Sequence, residues 1–187
     1  QPGSSFKPYV YATALETGKY TPDTMVVDAP VSIGNWSPQN YGRSFKGRLT
    51  LRSALTQSLN TVAVRLSIAT GRQPIADLAA RMGVKTPLKV TRSLALGSSE
   101  VTVLDQATAY CVFPNGGFRV EPRALNDVRT PTGEVVYDAS ANVRPQERVL
   151  QESTVLGMID MLNSVVENGT AKRARLPGIH VAGKTGT

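Results

Sequence analysis

The sequence predicts an α+β (α/β-type) fold, rich in helix, with its strands gathered late in the chain. Three observations predict it. Residues 152–168 carry one sustained apolar stripe at helical spacing, several shorter helical stretches are cut by Gly and Pro, and strand-like segments are short and come after residue 117. At 187 residues with 41% apolar and 6% aromatic side chains, the chain can build one domain with a real core.

Taken in order, residues 4–17 read as a short helix: Gly3 precedes it, Pro8 falls in its first turn and Gly18 closes it. Residues 19–49 hold Pro22, Pro30, Gly34, Pro38, Gly42 and Gly47 and read as a long irregular surface connection. Thr50 is placed to cap a helix whose apolar positions are Leu51, Ala54, Leu55 and Leu59. Asn60 and Thr61 interrupt that helix, and Val62 to Ala69 resumes it up to Gly71. A further helix runs from Pro74, at its first position, to Met82 before Gly83.

Thr102 and Asp105 have the spacing of a capping box for a helix through Val112, which Pro114 and Asn115-Gly116-Gly117 terminate. On that helix Cys111 reads as a small buried hydrophobe. Phe118 to Val120 and the segments beside Thr132-Gly133 have strand and hairpin character. The clearest helix spans about Glu152 to Asn168, with Val155, Met158, Ile159, Leu162, Val165 and Val166 as its stripe. Ile179 to Thr187 begins as a short strand with nothing visible to pair against.

The net charge of +7 raises the question of an anionic partner, but solvated surface Lys and Arg are the better reading of it. No aromatic-and-basic motif accompanies the charge, so nucleic acid is not an expected partner. One cysteine excludes an internal disulfide and a Cys-based zinc site, and the single His180 excludes a multi-histidine metal centre, so neither metal nor cofactor is expected. No stretch is apolar enough to span a bilayer and no signal peptide opens the chain. The chain starts at Gln, which is not a translation start, and is expected to be a piece of a longer protein.

Three motifs carry chemistry. Ser4-Ser5-Phe6-Lys7 is an S-x-x-K tetrad, and a spacing of three sets Ser4 and Lys7 on one helical face. A serine hydroxyl needs a base to become a nucleophile, and a lysine serves only once burial or a neighbouring cation lowers its pKa. Alone the tetrad is a weak signal. Ser58-Leu59-Asn60 is an S-x-N triplet at a break between helical stretches: the serine can relay a proton, and the amide can bond a substrate amide. As a pattern it is nearly uninformative, since Ser140-Ala141-Asn142 matches it too. Position favours Ser58, at the end of a buried-looking helix, over Ser140 in a polar stretch. Lys184-Thr185-Gly186 is rarer: the lysine can hold a carboxylate or tune a hydroxyl, and Gly186 lets a substrate backbone lie close.

In this order the three motifs are the set of penicillin-binding proteins and class A β-lactamases. The chain resembles the transpeptidase domain of class A (bifunctional) penicillin-binding proteins along almost its whole length. Trp36 to Leu66 is similar to the run into the second motif, Leu94 to Tyr110 to the entry of the central helix, and Asn168 to Ala174 to the stretch before the third motif. The resemblance implies a D,D-transpeptidase that cross-links peptidoglycan stem peptides through a serine acyl-enzyme and is acylated by β-lactams. Ser4 would be the nucleophile and Lys7 its base. Ser58, between Lys7 and Lys184, would return the proton to the leaving amine. Asn60 would orient the substrate amide, and Thr185 and Thr187 with Lys184 would receive the terminal carboxylate. The backbone N–H groups of Ser4 and Thr187 would form the oxyanion hole, with Gly186 giving room beside it.

The implied partners are donor and acceptor stem pentapeptides and β-lactam antibiotics. The parent would be anchored in the membrane, with a glycosyltransferase domain upstream and its active domain on the outer face of the cytoplasmic membrane. Residues 1–187 are then expected to be a partial transpeptidase domain, truncated at both ends, with the helical region and an incomplete antiparallel sheet. Such a fragment would be marginally stable and nearly inert by itself.

A D,D-carboxypeptidase or a β-lactam sensor shares all three motifs. A β-lactamase needs a glutamate to activate water for deacylation, and the nearest string, Glu147 to Gln151, ends in Gln and lies too close to Lys184. Of the remaining polar candidates, His180 reads as an exposed or structural residue, and Lys172, Arg173 and Arg175 read equally as a face toward the anionic cell-wall polymer or as a solvated basic turn. Trp36 and Tyr41 read as packing under the long loop or, alternatively, as the acceptor side of the cleft.

Overall fold

The computed structural model describes residues 1–142 and 146–187. Its centre is helix α1 (Lys7–Glu16), entered through a 3-10 turn over Gly3–Phe6. Tyr9, Val10, Tyr11, Ala12 and Ala14 have no exposed surface, so α1 is buried on every side and presents no polar stripe to solvent. Helices α3 (Asn60–Thr70), α4 (Arg72–Met82) and α6 (Glu152–Asn168) pack around it. Helix α2 (Leu51–Thr56) lies on α6, and α5 (Val103–Tyr110) lies on α4. Full burial of each Leu, Ile, Val or Met in this cluster contributes about 1.5–3 kcal/mol.

Local cues set several boundaries. The Thr50 hydroxyl accepts from the Ser53 N–H and starts α2, and the Thr102 hydroxyl accepts from the Asp105 N–H and starts α5. Only half of the predicted capping box forms, because the Asp105 carboxylate turns away to Thr86. Helix α6 matches the predicted span. Its buried stripe includes Met161, while Ile159 is partly exposed, so the apolar face is rotated slightly from the one read off the sequence.

Other expectations are corrected. The connection over residues 19–49 is not wholly irregular: β1 (Met25–Asp28) and β2 (Gly47–Thr50) pair antiparallel, with Met25 opposite Thr50 and Asp28 opposite Gly47. Four-residue strands without alternation leave little sequence signal. Strands are therefore not confined to the end of the chain. The second pair, β3 (Asp127–Arg129) and β4 (Val135–Asp138), is the predicted hairpin about Thr132-Gly133, whereas Phe118 forms only a bridge to Arg148.

The helical break falls at Gln57–Leu59 rather than at Asn60 and Thr61, which open α3. Pro74 sits two residues inside α4 rather than at its start. Helix α5 stops at Tyr110, so Cys111 caps its end and is exposed while Val112 and Phe113 turn inward. Residues 181–187 form no strand: Val181 and Gly183 are tied to α6, with the Gly183 N–H donating to Leu162 O and Asn163 Nδ2 to Val181 O.

Candidate active site

The two ends of the chain meet. Gly97, at φ 71°, packs its α-carbon on the Gly3 backbone, and the Gly3 α-carbon in turn faces the Thr187 backbone; a Cβ on either glycine would overlap main chain. The Gly3 N–H donates to Gly97 O. A side chain on Gly186 would meet Pro2 O and Ser5 Oγ. Glycine at these positions is what lets the C-terminal segment lie against the turn that carries Ser4.

A cleft of about 770 Å³ opens at this junction. Ser4, Ser58, Asn60, Thr185, Gly186 and Thr187 all line it. Lys7 lies beneath, with no exposed surface. Its Nζ donates to Ser58 O at 2.6 Å, Asn60 Oδ1 at 2.7 Å and Ser58 Oγ at 3.1 Å. Burial, assisted by the Lys184 ammonium, lowers the Lys7 pKa to about 7. The first two motifs are thus joined by hydrogen bonds, although residues 51 and 53 positions apart had to be brought together.

Ser58 adopts φ 56°, a left-handed conformation that costs a residue with a Cβ about 1–3 kcal/mol. The Ser58 N–H bonds Leu55 O, and its own carbonyl takes the short bond from Lys7. The kink between α2 and α3 thereby presents both the carbonyl and the hydroxyl of Ser58 to one amine.

Lys184 is placed differently. Its Nζ donates to Thr185 O at 3.1 Å and to Thr185 Oγ1 at 3.2 Å, and it faces a neighbouring hollow shared with Ser5, Gln106 and Tyr110. Burial lowers its pKa to about 8. The expected position of Ser58 between the two lysines is therefore realised by hydrogen bonds only on the Lys7 side. Thr185 Oγ1 is also 2.8 Å from Thr170 Oγ1.

The sequence reading missed several residues that hold the site. Gln106 Nε2 donates to Ser5 O and Oγ, and the Tyr110 hydroxyl donates to Ser5 O, so α5 anchors the tetrad from behind. Asn40 Oδ1 accepts the N–H groups of Asn60 and Thr61, and Asn40 rests on the buried Asp28. None of these contacts has a local spacing that could announce it.

Among residues set aside, Tyr41 lines the cleft and is fully exposed, while Trp36 packs on the core beneath the Arg92 guanidinium. Ser140 bonds Asp138 just after β4, away from Lys7. Glu147 passes its carbonyl to the Arg119 N–H beside the Phe118–Arg148 bridge and does not line the cleft. His180, Lys172, Arg173 and Arg175 are exposed, and Arg175 pairs with Glu167. Among the described residues no helix is long and apolar enough to cross a membrane, and no cluster of His, Cys, Asp and Glu could hold a metal.

Comparison with known proteins follows the same lines. Residues 1–187 match the penicillin-binding protein transpeptidase domain family. The chain is 37% identical over 198 residues to penicillin-binding protein 1A of Neisseria lactamica, covering all of this chain and 25% of that protein. It superposes on the crystal structure of penicillin-binding protein 1A from Haemophilus influenzae with a TM-score of 0.85 at 29% identity, over 92% of this chain and 32% of that one. The D,D-transpeptidase domain of a peptidoglycan glycosyltransferase from Eggerthella lenta gives 0.84 at 27% identity, over 99% and 53%. The chain therefore spans about a quarter of the length of the curated relatives it matches.

Proposed function

The chain belongs to the penicillin-binding protein transpeptidase domain family, and from that premise we propose that its protein is a serine D,D-transpeptidase of the class A type. The 187 residues are read as part of its transpeptidase domain. The observation that carries the reading is the buried Lys7 amine, lowered to about 7 and bonded to Ser58 and Asn60 under a cleft lined by Ser4 and Thr187.

A neutral amine has two N–H groups and one lone pair. Ser58 O and Asn60 Oδ1 can only accept, so they take both N–H groups. The lone pair is then left for a hydroxyl proton. Ser4 Oγ attacks the carbonyl of the penultimate D-alanine as Lys7 removes its proton. The Ser4 and Thr187 N–H groups hold the oxyanion. The carbon–nitrogen bond breaks, and the D-alanine amine leaves with the proton passed through Ser58. The amine of a second stem peptide attacks the ester and forms the amide cross-link; the carbon–oxygen bond to Ser4 breaks, and the proton lost by the amine returns to Ser4 Oγ through Lys7. A β-lactam acylates Ser4 by the same first step. Lys184, Thr185 and Thr187 receive the donor carboxylate, with Gly186 admitting its backbone.

The same reading places the protein in the bacterial cell envelope, anchored in the cytoplasmic membrane with this domain on its outer face and a glycosyltransferase domain upstream. Its test is chemical. The intact protein is treated with benzylpenicillin, digested and examined by mass spectrometry. One adduct on the peptide carrying Ser4 is expected; an adduct on Ser5 or Ser58, or none, overturns the assignment.

A further inference from the structure

Behind the cleft lies a buried polar line that the chemistry above does not use. It starts at Asp28, at the end of β1, which has no exposed surface. Its carboxylate accepts from Asn40 Nδ2 at 2.8 and 3.1 Å, from the Lys46 N–H at 2.7 Å and from the Thr61 hydroxyl. Asn40, 5% exposed, also donates to Ser44 O at 3.0 Å. Its other amide atom, Oδ1, accepts from the Asn60 N–H at 2.8 Å and the Thr61 N–H at 3.3 Å. These are the first two residues of α3, whose own N-cap, Leu59, has no side chain able to cap. A loop asparagine from twenty residues upstream does that work.

The partners fix each amide without ambiguity. Asn40 must turn its NH2 toward Asp28 and Ser44 O, which only accept, and its oxygen toward two N–H donors. Asn60 must turn its NH2 toward Gln39 O at 2.7 Å, so its Oδ1 faces Lys7 Nζ. Gln39-Asn40 thus holds Asn60 twice: the Asn40 side chain takes its main-chain N–H, and the Gln39 carbonyl takes its side-chain NH2. A buried polar array in which each amide is committed this way is rigid and admits one arrangement.

Resting on the reading of Ser4 and Lys7 given above, we propose that Asn40, anchored on Asp28, is a positioning residue for acylation. It holds Asn60 so that Oδ1 occupies one N–H of Lys7, while Ser58 O takes the other and the amine's remaining position faces the Ser58 hydroxyl under the cleft. Other titratable groups face this line: Lys184 from the C-terminal segment toward Lys7, Tyr11 from α1 toward Asp28, and Tyr41 and Lys46 from the loop that carries Asn40. Burial raises the Tyr11 phenol, with Asp28 adding to it, so that it stays neutral across the working range.

The test measures acylation of the intact protein by benzylpenicillin against pH, alongside thermal melts, for wild type, Asn40→Ala and Asn40→Asp. Asn40→Ala is expected to slow acylation about ten- to a hundredfold, the cost of a misplaced catalytic group. Its rising limb should move to lower pH, because the ammonium form of Lys7 loses an acceptor. Asn40→Asp is expected to restore the rate to within about threefold near pH 6 and to lose it in alkali. Beside Asp28 the two carboxyls must share a proton, since like charges that close cannot both ionise; one O–H then bridges them and the new side chain still accepts the Asn60 and Thr61 N–H groups, with only the bond to Ser44 O given up.

A folded Asn40→Ala protein with wild-type rate and midpoint, or one slowed with an unmoved midpoint, overturns the proposal. Should Asn40→Ala fail to fold, the folded Asn40→Asp protein decides: loss of rate in alkali supports the role, and indifference to pH beyond the wild-type profile overturns it. Failure of both to fold makes the line purely structural and overturns it as well. Wild type that is not acylated at Ser4 sinks the reading of the site itself, a result distinct from all of these.

Discussion

The two walls of the cleft are built on different physics. The helical wall, from Ser4 to Lys7 and from Ser58 to Asn60, is tied by short, partly buried hydrogen bonds and stands on Phe6 and Lys7, which have no exposed surface. The C-terminal wall, Lys184 to Thr187, lies against it on glycine contacts and few hydrogen bonds, and Lys184 bonds chiefly to its own neighbour. A single residue on the first wall touches several committed partners, so its loss is felt as misplacement of the chemistry. Residues on the second wall contribute charge and shape, so their loss is felt in binding and in the electrostatics of Lys7.

The largest effect should come from Lys7→Ala in the intact protein. Removing the base is expected to cut acylation by at least about a thousandfold, within the range for a lost general base. The melting temperature should stay within about 5 °C, because the amine is costly to bury even with its three acceptors. Parallel rate measurements and melts check this. A normal rate would break the comparison at its strongest point, and a collapse of the melt would make Lys7 a structural residue.

Lys184→Ala should have an intermediate effect of a different kind. The Lys184 ammonium helps to hold the Lys7 pKa down to about 7. Without that cation the Lys7 pKa rises, so less neutral amine is present at pH 7 and the rising limb of acylation moves to higher pH. This is the opposite direction from Asn40→Ala. The influence belongs below about pH 8, where Lys184 itself still carries charge. Burial is the larger cause of the lowered Lys7 pKa, so a loss of roughly three- to tenfold at pH 7 that shrinks as pH is raised is expected. A flat loss at every pH would assign Lys184 to carboxylate binding alone.

The smallest effect sharpens how the second wall is held. Thr170→Val removes the exposed hydroxyl contact to Thr185 and leaves the backbone bond from Thr170 N–H to Thr56 O in place. Exposed hydrogen bonds contribute on the order of 1 kcal/mol or less, so acylation should change by less than about threefold. A larger loss would show that Thr170 registers Thr185 and that the second wall depends on hydrogen bonds after all.

The two walls also differed in legibility. Helix α6 was readable to its ends, because seventeen residues at one period leave a strong signal and Gly169 stops it. The Thr50 cap was readable because a cap acts within three residues. The long loop was not: β1 and β2 are four residues each, and the loop's polar residues look like any surface connection. Cys111 was misplaced because one turn of helix more or less decides whether a side chain faces in or out, and helix ends are the least determined part of a pattern.

By itself the sequence determined which chemical groups are present and in what order: S-x-x-K on a helix, S-x-N at a break, K-T-G at the end, all within a helix-rich chain. Those are local facts, set by spacing along one backbone. Only the tertiary structure decided that Lys7 would be stripped of water and pressed against Ser58 and Asn60. It also decided that Asp28, 33 positions from its Thr61 partner, would anchor the amide that aims Asn60. Burial and long-range hydrogen bonding depend on what packs from distant parts of the chain, and no period or spacing in the sequence encodes that.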